Sequence, residues 1–140
     1  MKIASFLEQC PYVARMSYPG LESFPQRTLA LKQMVDEQGR FAPGFVLYFT
    51  LKKNGADNQK AEALVDYLAE HSYTITLAVS LGQIKTLIEN PYAMTHAALP
   101  EAEKRAKGIE PGGIRLSVGL EDWHDIIGDL KCALNHVSQL

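Results

Sequence analysis

Ile114-Arg115-Leu116-Ser117-Val118 is the stretch on which the fold turns, because its alternation sends three apolar side chains to one face and Arg115 with Ser117 to the other. That is a half-buried strand, entered through the turn residues Pro111-Gly112-Gly113. Directly after it, Glu121 and Asp122 place carboxylates where a helix begins, and Trp123, Ile126, Ile127, Leu130, Leu134 and Val137 recur at helical spacing. A strand with one apolar face followed by a helix with one apolar stripe predicts helix packed on sheet, with Trp123 in the core.

Upstream, residues 45–51 are aromatic and β-branched and predict a well-buried strand, turned by Lys52-Lys53-Asn54-Gly55. Asp57 or Asn58 can then cap a helix whose apolar face is Ala61, Leu64, Val65 and Leu68. Residues 73–79 form another β-branched run, ended by Ser80-Leu81-Gly82. The spacing of Ile84, Leu87 and Ile88 predicts a short helical face before Pro91. Residues 92–100 have no period and predict an ordered loop, and residues 101–107 a brief polar helix stopped by Gly108. At the N-terminus, Ile3, Phe6, Leu7 and Cys10 mark an amphipathic helix closed by Pro11. Residues 12–18 read as an edge strand before Pro19-Gly20. Ser23-Phe24-Pro25-Gln26 supplies an N-cap serine, an early proline and a capping-box glutamine, predicting a helix to about Asp36 with Gly39 beyond its end. The order of elements predicts an α/β sandwich: a small, mostly antiparallel sheet with helices packed on one face.

The 140 residues and 46% hydrophobic content suit one domain with one core. A formal charge of −2 argues against nucleic-acid and membrane-surface roles, which need a basic excess. Cys10 and Cys132 fall in predicted helices without a CxxC pair and read as two buried thiols in a reducing cytoplasm. His71, His96, His124 and His136 show no ligand spacing, so no metal site is expected. No apolar run reaches membrane-spanning length, and residues 1–4 open an amphipathic helix where a signal peptide would be apolar.

Arg115 on a strand can be a solvated sheet residue, or a guanidinium that grips a carboxylate through two parallel hydrogen bonds. The Ser80 hydroxyl can serve the same anion or satisfy its own turn. His96, in the aperiodic loop, leaves a general base, a backbone hydrogen bond and plain exposure all open. Glu121-Asp122 is more economical as a helix-start pair than as a catalytic dyad, and Gly112-Gly113 lacks the further glycines of a phosphate loop.

Leu77-Ala78-Val79-Ser80-Leu81-Gly82, Thr86-Leu87-Ile88-Glu89-Asn90-Pro91 and Met94-Thr95-His96 resemble the C-terminal region of the Cys/Met metabolism family of pyridoxal-phosphate (PLP) dependent enzymes. That family includes methionine γ-lyase, cystathionine γ-lyase and cystathionine γ-synthase. The segment Ile114 to Asp122 is similar to the family's closing signature, and Tyr18-Pro19-Gly20-Leu21 with Pro25-Gln26 to the start of the same domain. The resemblance implies that residues 1–140 are a single C-terminal substrate-binding domain of a PLP-dependent transferase fold. The large PLP-binding domain, with its Schiff-base lysine, is absent from this chain. It further implies that Arg115 binds the α-carboxylate of a sulfur-containing amino acid, assisted by Ser80 and supported by Thr95. The expected partners are the enzyme's own large domain and further copies in a homo-oligomer. Val79 stands where cystathionine-processing relatives often carry glutamate, and an apolar side chain there suits methionine or homocysteine, as in methionine γ-lyase. PLP is then the cofactor of the complete enzyme, and this chain alone is expected neither to hold it nor to be active. A stand-alone amino-acid-binding module, or a structural interaction module, is the alternative.

Overall fold

The computed structural model describes residues 1–52 and 59–140. In chain order the elements are α1 (Lys2–Gln9), β1 (Val13–Ser17), α2 (Arg27–Gln33), β2 (Val46–Leu51), α3 (Gln59–His71), β3 (Ile75–Leu77), β4 (Thr86–Glu89), α4 (Glu101–Ala106), β5 (Gly113–Ser117) and α5 (Trp123–Ser138). The predicted turn at Lys53-Asn54-Gly55 and the cap at Asp57 or Asn58 lie outside the described residues.

The strands form one sheet in the order β1-β2-β5-β4-β3. Every neighbouring pair is antiparallel except β3 with β4, so the sheet is mixed and mostly antiparallel, as expected. β5 is last in sequence but central in space, with Arg115 opposite Tyr48 on β2 and Glu89 on β4. Its alternation works as read: Ile114 and Leu116 join the core with Leu47, Phe49 and Ile88, where α1, α3 and α5 cover that face through Leu7, Leu64, Leu68, Ile126, Leu130 and Leu134. Burying each of these leucines or isoleucines is worth about 1.5–3 kcal/mol, so this helix-covered face carries most of the fold's stability. α5 begins where Asp122 caps it by accepting the His124 N–H at 2.8 Å.

Four expectations change. The expected helical face at Ile84, Leu87 and Ile88 is no helix: Leu87 and Ile88 lie in strand β4, buried along its whole length, and Ile84 precedes it in an exposed bend. The spacing i, i+3, i+4 over so few residues fits either structure, and lateral pairing with β3 and β5 satisfies the backbone. α2 starts at Arg27 with Gln26 as N-cap and no side-chain cap bond, because Ser23 is engaged with Glu8 instead. α2 ends at Gln33, where the chain folds back to pair Val35 with Phe41 around the Asp36 and Gly39 turn. Trp123 is 39% exposed rather than core, in a first turn of α5 whose residues 122–125 are all exposed; its ring stacks on His124. Of the thiols, Cys132 is exposed and Cys10 half-buried. Among the described residues no helix is long and apolar enough to cross a membrane.

Candidate functional site

The face of the sheet opposite the core carries the row Tyr48, Arg115 and Glu89 across β2, β5 and β4. The sequence left open whether this face is solvated or holds a ligand. Ser117 and Glu89 are each 1% exposed, because two connecting segments fold over this end of the sheet.

The first segment links β3 to β4. Gly82 adopts φ +72°, which glycine reaches without strain, and its N–H donates to Ser117 Oγ at 3.1 Å, tying the loop to Arg115's own strand. The Leu120 N–H donates to the Ile84 carbonyl at 2.8 Å. Gly119 lies so close that a Cβ there would meet the Ile84 carbonyl oxygen at 2.4 Å. Thr86 is clamped as well: its N–H and hydroxyl donate to the Glu121 carboxylate at 2.9 and 2.8 Å, while its oxygen accepts the Gly119 N–H at 2.9 Å. Burial opposes ionisation of Glu121, but the Thr86 hydrogen bonds outweigh it and hold the carboxyl below its ordinary range. Glu121 therefore serves the loop, and Asp122 the helix.

The second segment follows β4. Asn90 Oδ1 accepts the Tyr92 and Ala93 N–H groups at 3.0 and 3.3 Å, and its Nδ2 donates to the Pro111 carbonyl at 3.2 Å. This asparagine turn folds the chain back so that Thr95 returns to β4.

These segments converge on Arg115, whose side chain is 20% exposed. Its Nη2 donates to the Ser80 backbone carbonyl at 2.8 Å, and its Nη1 lies 3.0 Å from Glu89 Oε1. Thr95 Oγ1 donates to that same Oε1 at 3.2 Å and lies 3.0 Å from His96 Nδ1. Glu89 Oε2 is buried without a hydrogen-bond partner among the described residues.

Arg115, Ser80 and Thr95 are thus brought together, with His96 touching Thr95. Ser80 reaches the guanidinium through its carbonyl and not through the expected hydroxyl. Val79 is the next residue along the loop and is 55% exposed, with no fixed place around the guanidinium. Glu89 is the member that the sequence reading missed. Its signal was a carboxylate inside the apolar run Leu87-Ile88-Glu89, legible only if that run is read as a strand. Beside Arg115, Tyr48 is half-buried; its hydroxyl accepts the Glu110 N–H at 3.2 Å, and burial raises its phenol above the ordinary range.

The guanidinium donates to the Ser80 carbonyl and forms an ion pair with Glu89, which leaves most of its five N–H donors, so a rigidly mounted, partly open cation can still take a carboxylate. Among the described residues, those around Arg115 do not build a holder for PLP. Lys104, the buried lysine among the described residues, has its ammonium 4.0 Å from the centre of the Tyr92 ring and 3.7 Å from Glu101. It is committed where it stands.

A family model described as "Cys/Met metabolism PLP-dependent enzyme" matches residues 1–135. The chain is 44% identical over 134 residues to an L-methionine gamma-lyase of Treponema denticola, a stretch covering 96% of this chain and 30% of that enzyme. It is 42% identical over 134 residues to a cystathionine beta-lyase of Coxiella burnetii, covering 96% and 31% respectively. Among solved structures, cystathionine gamma synthase from Xanthomonas oryzae pv. oryzae, in complex with aminoacrylate and cysteine, superposes with a TM-score of 0.83 at 33% identity. That match covers 98% of this chain and 32% of the other. The chain therefore spans slightly under a third of the length of these relatives.

Proposed function

Since the chain belongs to the Cys/Met metabolism family of PLP-dependent enzymes, we propose that residues 1–140 are the substrate-binding domain of a carbon-sulfur lyase or transferase acting on sulfur-containing amino acids. The cofactor's chemistry falls to a large PLP-binding domain outside this chain. This chain's part is to bind and orient: Arg115 holds the α-carboxylate, the loop carrying Ser80 and the turn carrying Thr95 frame it, and Val79 faces the sulfur-bearing side chain. Fixing the carboxylate presents the rest of the amino acid in one orientation, which lowers the entropic part of the barrier. With Val79 in place the favoured side chain is methionine-like, since an apolar contact does not compensate the distal charges of cystathionine. The same reading makes the complete enzyme a cytoplasmic homo-oligomer.

The observation that supports this most is that Arg115, Ser80 and Thr95, far apart in sequence, meet around one partly open guanidinium. The test joins this chain to the PLP-binding remainder of the Treponema denticola enzyme, in place of the stretch it matches. Arg115→Lys keeps the charge but loses the planar fork. It should lower kcat/KM for L-methionine by about tenfold or more through KM, with PLP absorbance unchanged. Unaltered KM would remove Arg115 from the site.

A further inference from the structure

We propose that Glu89 is a positioning residue for Arg115, setting the direction in which the guanidinium meets an incoming carboxylate. This rests on the reading of Arg115 as the carboxylate site. Glu89 and Arg115 are direct cross-strand neighbours on β4 and β5, so both ends of the pair are mounted on the rigid centre of the sheet. The two terminal nitrogens of Arg115 are held by different elements, Nη1 by Glu89 and Nη2 by the Ser80 carbonyl. Anchoring both removes the rotation about the end of a long side chain that would otherwise be lost when ligand binds. Thr95 fixes the anchor in turn, through its hydrogen bond to Glu89 Oε1.

Stability alone does not account for this carboxylate. It is 1% exposed on a strand whose neighbours Leu87 and Ile88 are apolar, and its second oxygen is left without a partner. A buried ion pair with an orphaned oxygen stabilises a fold less than a well-packed leucine would. Raw affinity for an anion does not account for it either, because a carboxylate beside Arg115 weakens the pull on any incoming carboxylate. Orientation is what remains: Glu89 gives up Coulomb attraction and keeps the guanidinium in one pose.

At residue 89 the position of the acceptor should therefore matter more than the charge. Glu89→Gln keeps an oxygen for Nη1 and Thr95; Glu89→Leu keeps the volume and removes the acceptor. In the joined enzyme, Glu89→Leu should raise KM for L-methionine about tenfold, with kcat changed by less than about threefold, while Glu89→Gln, which keeps an acceptor, should raise KM clearly less than Glu89→Leu does. In the 140-residue chain, nitrogen-15 spectra of the arginine side chains should show the two Arg115 Nη groups in slow rotation in the original protein and in Glu89→Gln. They should be averaged in Glu89→Leu. This signature reports guanidinium freedom and is not moved by a general loss of stability while the chain stays folded. Unchanged Arg115 signals in Glu89→Leu, or equal KM effects from Leu and Gln, would overturn the proposal. If Arg115→Lys raises KM while both Glu89 variants are silent, positioning fails and the carboxylate reading stands. If Arg115→Lys is silent too, the carboxylate reading itself fails.

Discussion

Removing Arg115 should damage the fold as well as the site. Arg115→Ala strips the cationic partner that Glu89 has among the described residues from a carboxylate that is 1% exposed, and leaving a buried charge unpaired typically costs about 3–5 kcal/mol. Against a domain's usual total of roughly 5–15 kcal/mol, this takes a large share. Glu89→Gln alone should cost about 1–2 kcal/mol, since the amide still accepts from Nη1 and Thr95. The double variant Arg115→Ala/Glu89→Gln carries no carboxylate there and should also cost about 1–2 kcal/mol, making it more stable than Arg115→Ala by about 1–4 kcal/mol. Urea unfolding of the 140-residue chain measures this directly, with Trp123, its single tryptophan, as the fluorophore. For slopes of about 1–3 kcal/mol per molar urea, the midpoint of Arg115→Ala should fall by about 1 M or more, and the second substitution should restore part of that loss. An Arg115→Ala cost below about 1 kcal/mol, with no recovery in the double variant, would refute the pairing of the buried Glu89 with Arg115 as a contribution to the fold. The same consideration makes lysine the better replacement for testing carboxylate binding.

Gly119→Ala should destabilise the chain by about 1–3 kcal/mol, because the new Cβ meets the backbone at Ile84 and Lys85 rather than a side chain that can move. In the joined enzyme it should also raise KM for L-methionine by displacing the loop that carries Ser80; wild-type stability and KM together would count against the close approach. Asp129 anchors the β3 entry by accepting from Ser72 and Thr74 hydroxyls and from the Tyr73 and Thr74 N–H groups. Burial opposes its ionisation, yet these donors hold its carboxyl below the ordinary value of 3.8. The unfolded chain then binds the proton first as pH falls, so this contribution is complete above roughly pH 5 and is lost as pH drops through the lowered value. Urea midpoints between pH 3 and 7 should therefore fall less steeply for Asp129→Asn than for the original protein, and parallel curves would exclude the anchor.

How much of this was legible follows the range of the forces involved. Ile114 to Val118 and the α5 stripe were readable because period 2 and period 3.6 patterns over several residues leave one solution for burying an apolar face. Thr86 to Glu89 was not, because four residues with apolar spacing suit either period, and the decision came from unpaired backbone on β3 and β5. That misreading hid Glu89, since only a strand places it on the same face as Arg115. Trp123 was misplaced for a similar reason: helical spacing identifies the stripe but not which of its turns the rest of the fold covers.

By itself the sequence determined the one-layer-on-one-layer architecture, the family signature and the identity of Arg115, Ser80, Val79 and Thr95 as candidates, all of which rest on local pattern. Only the tertiary structure decided that β5 lies between β2 and β4, that Ser80 offers its carbonyl, and that a buried carboxylate holds the guanidinium. Those facts depend on which strands become neighbours, and that is set by burying the whole apolar face at once, not by any short run of residues.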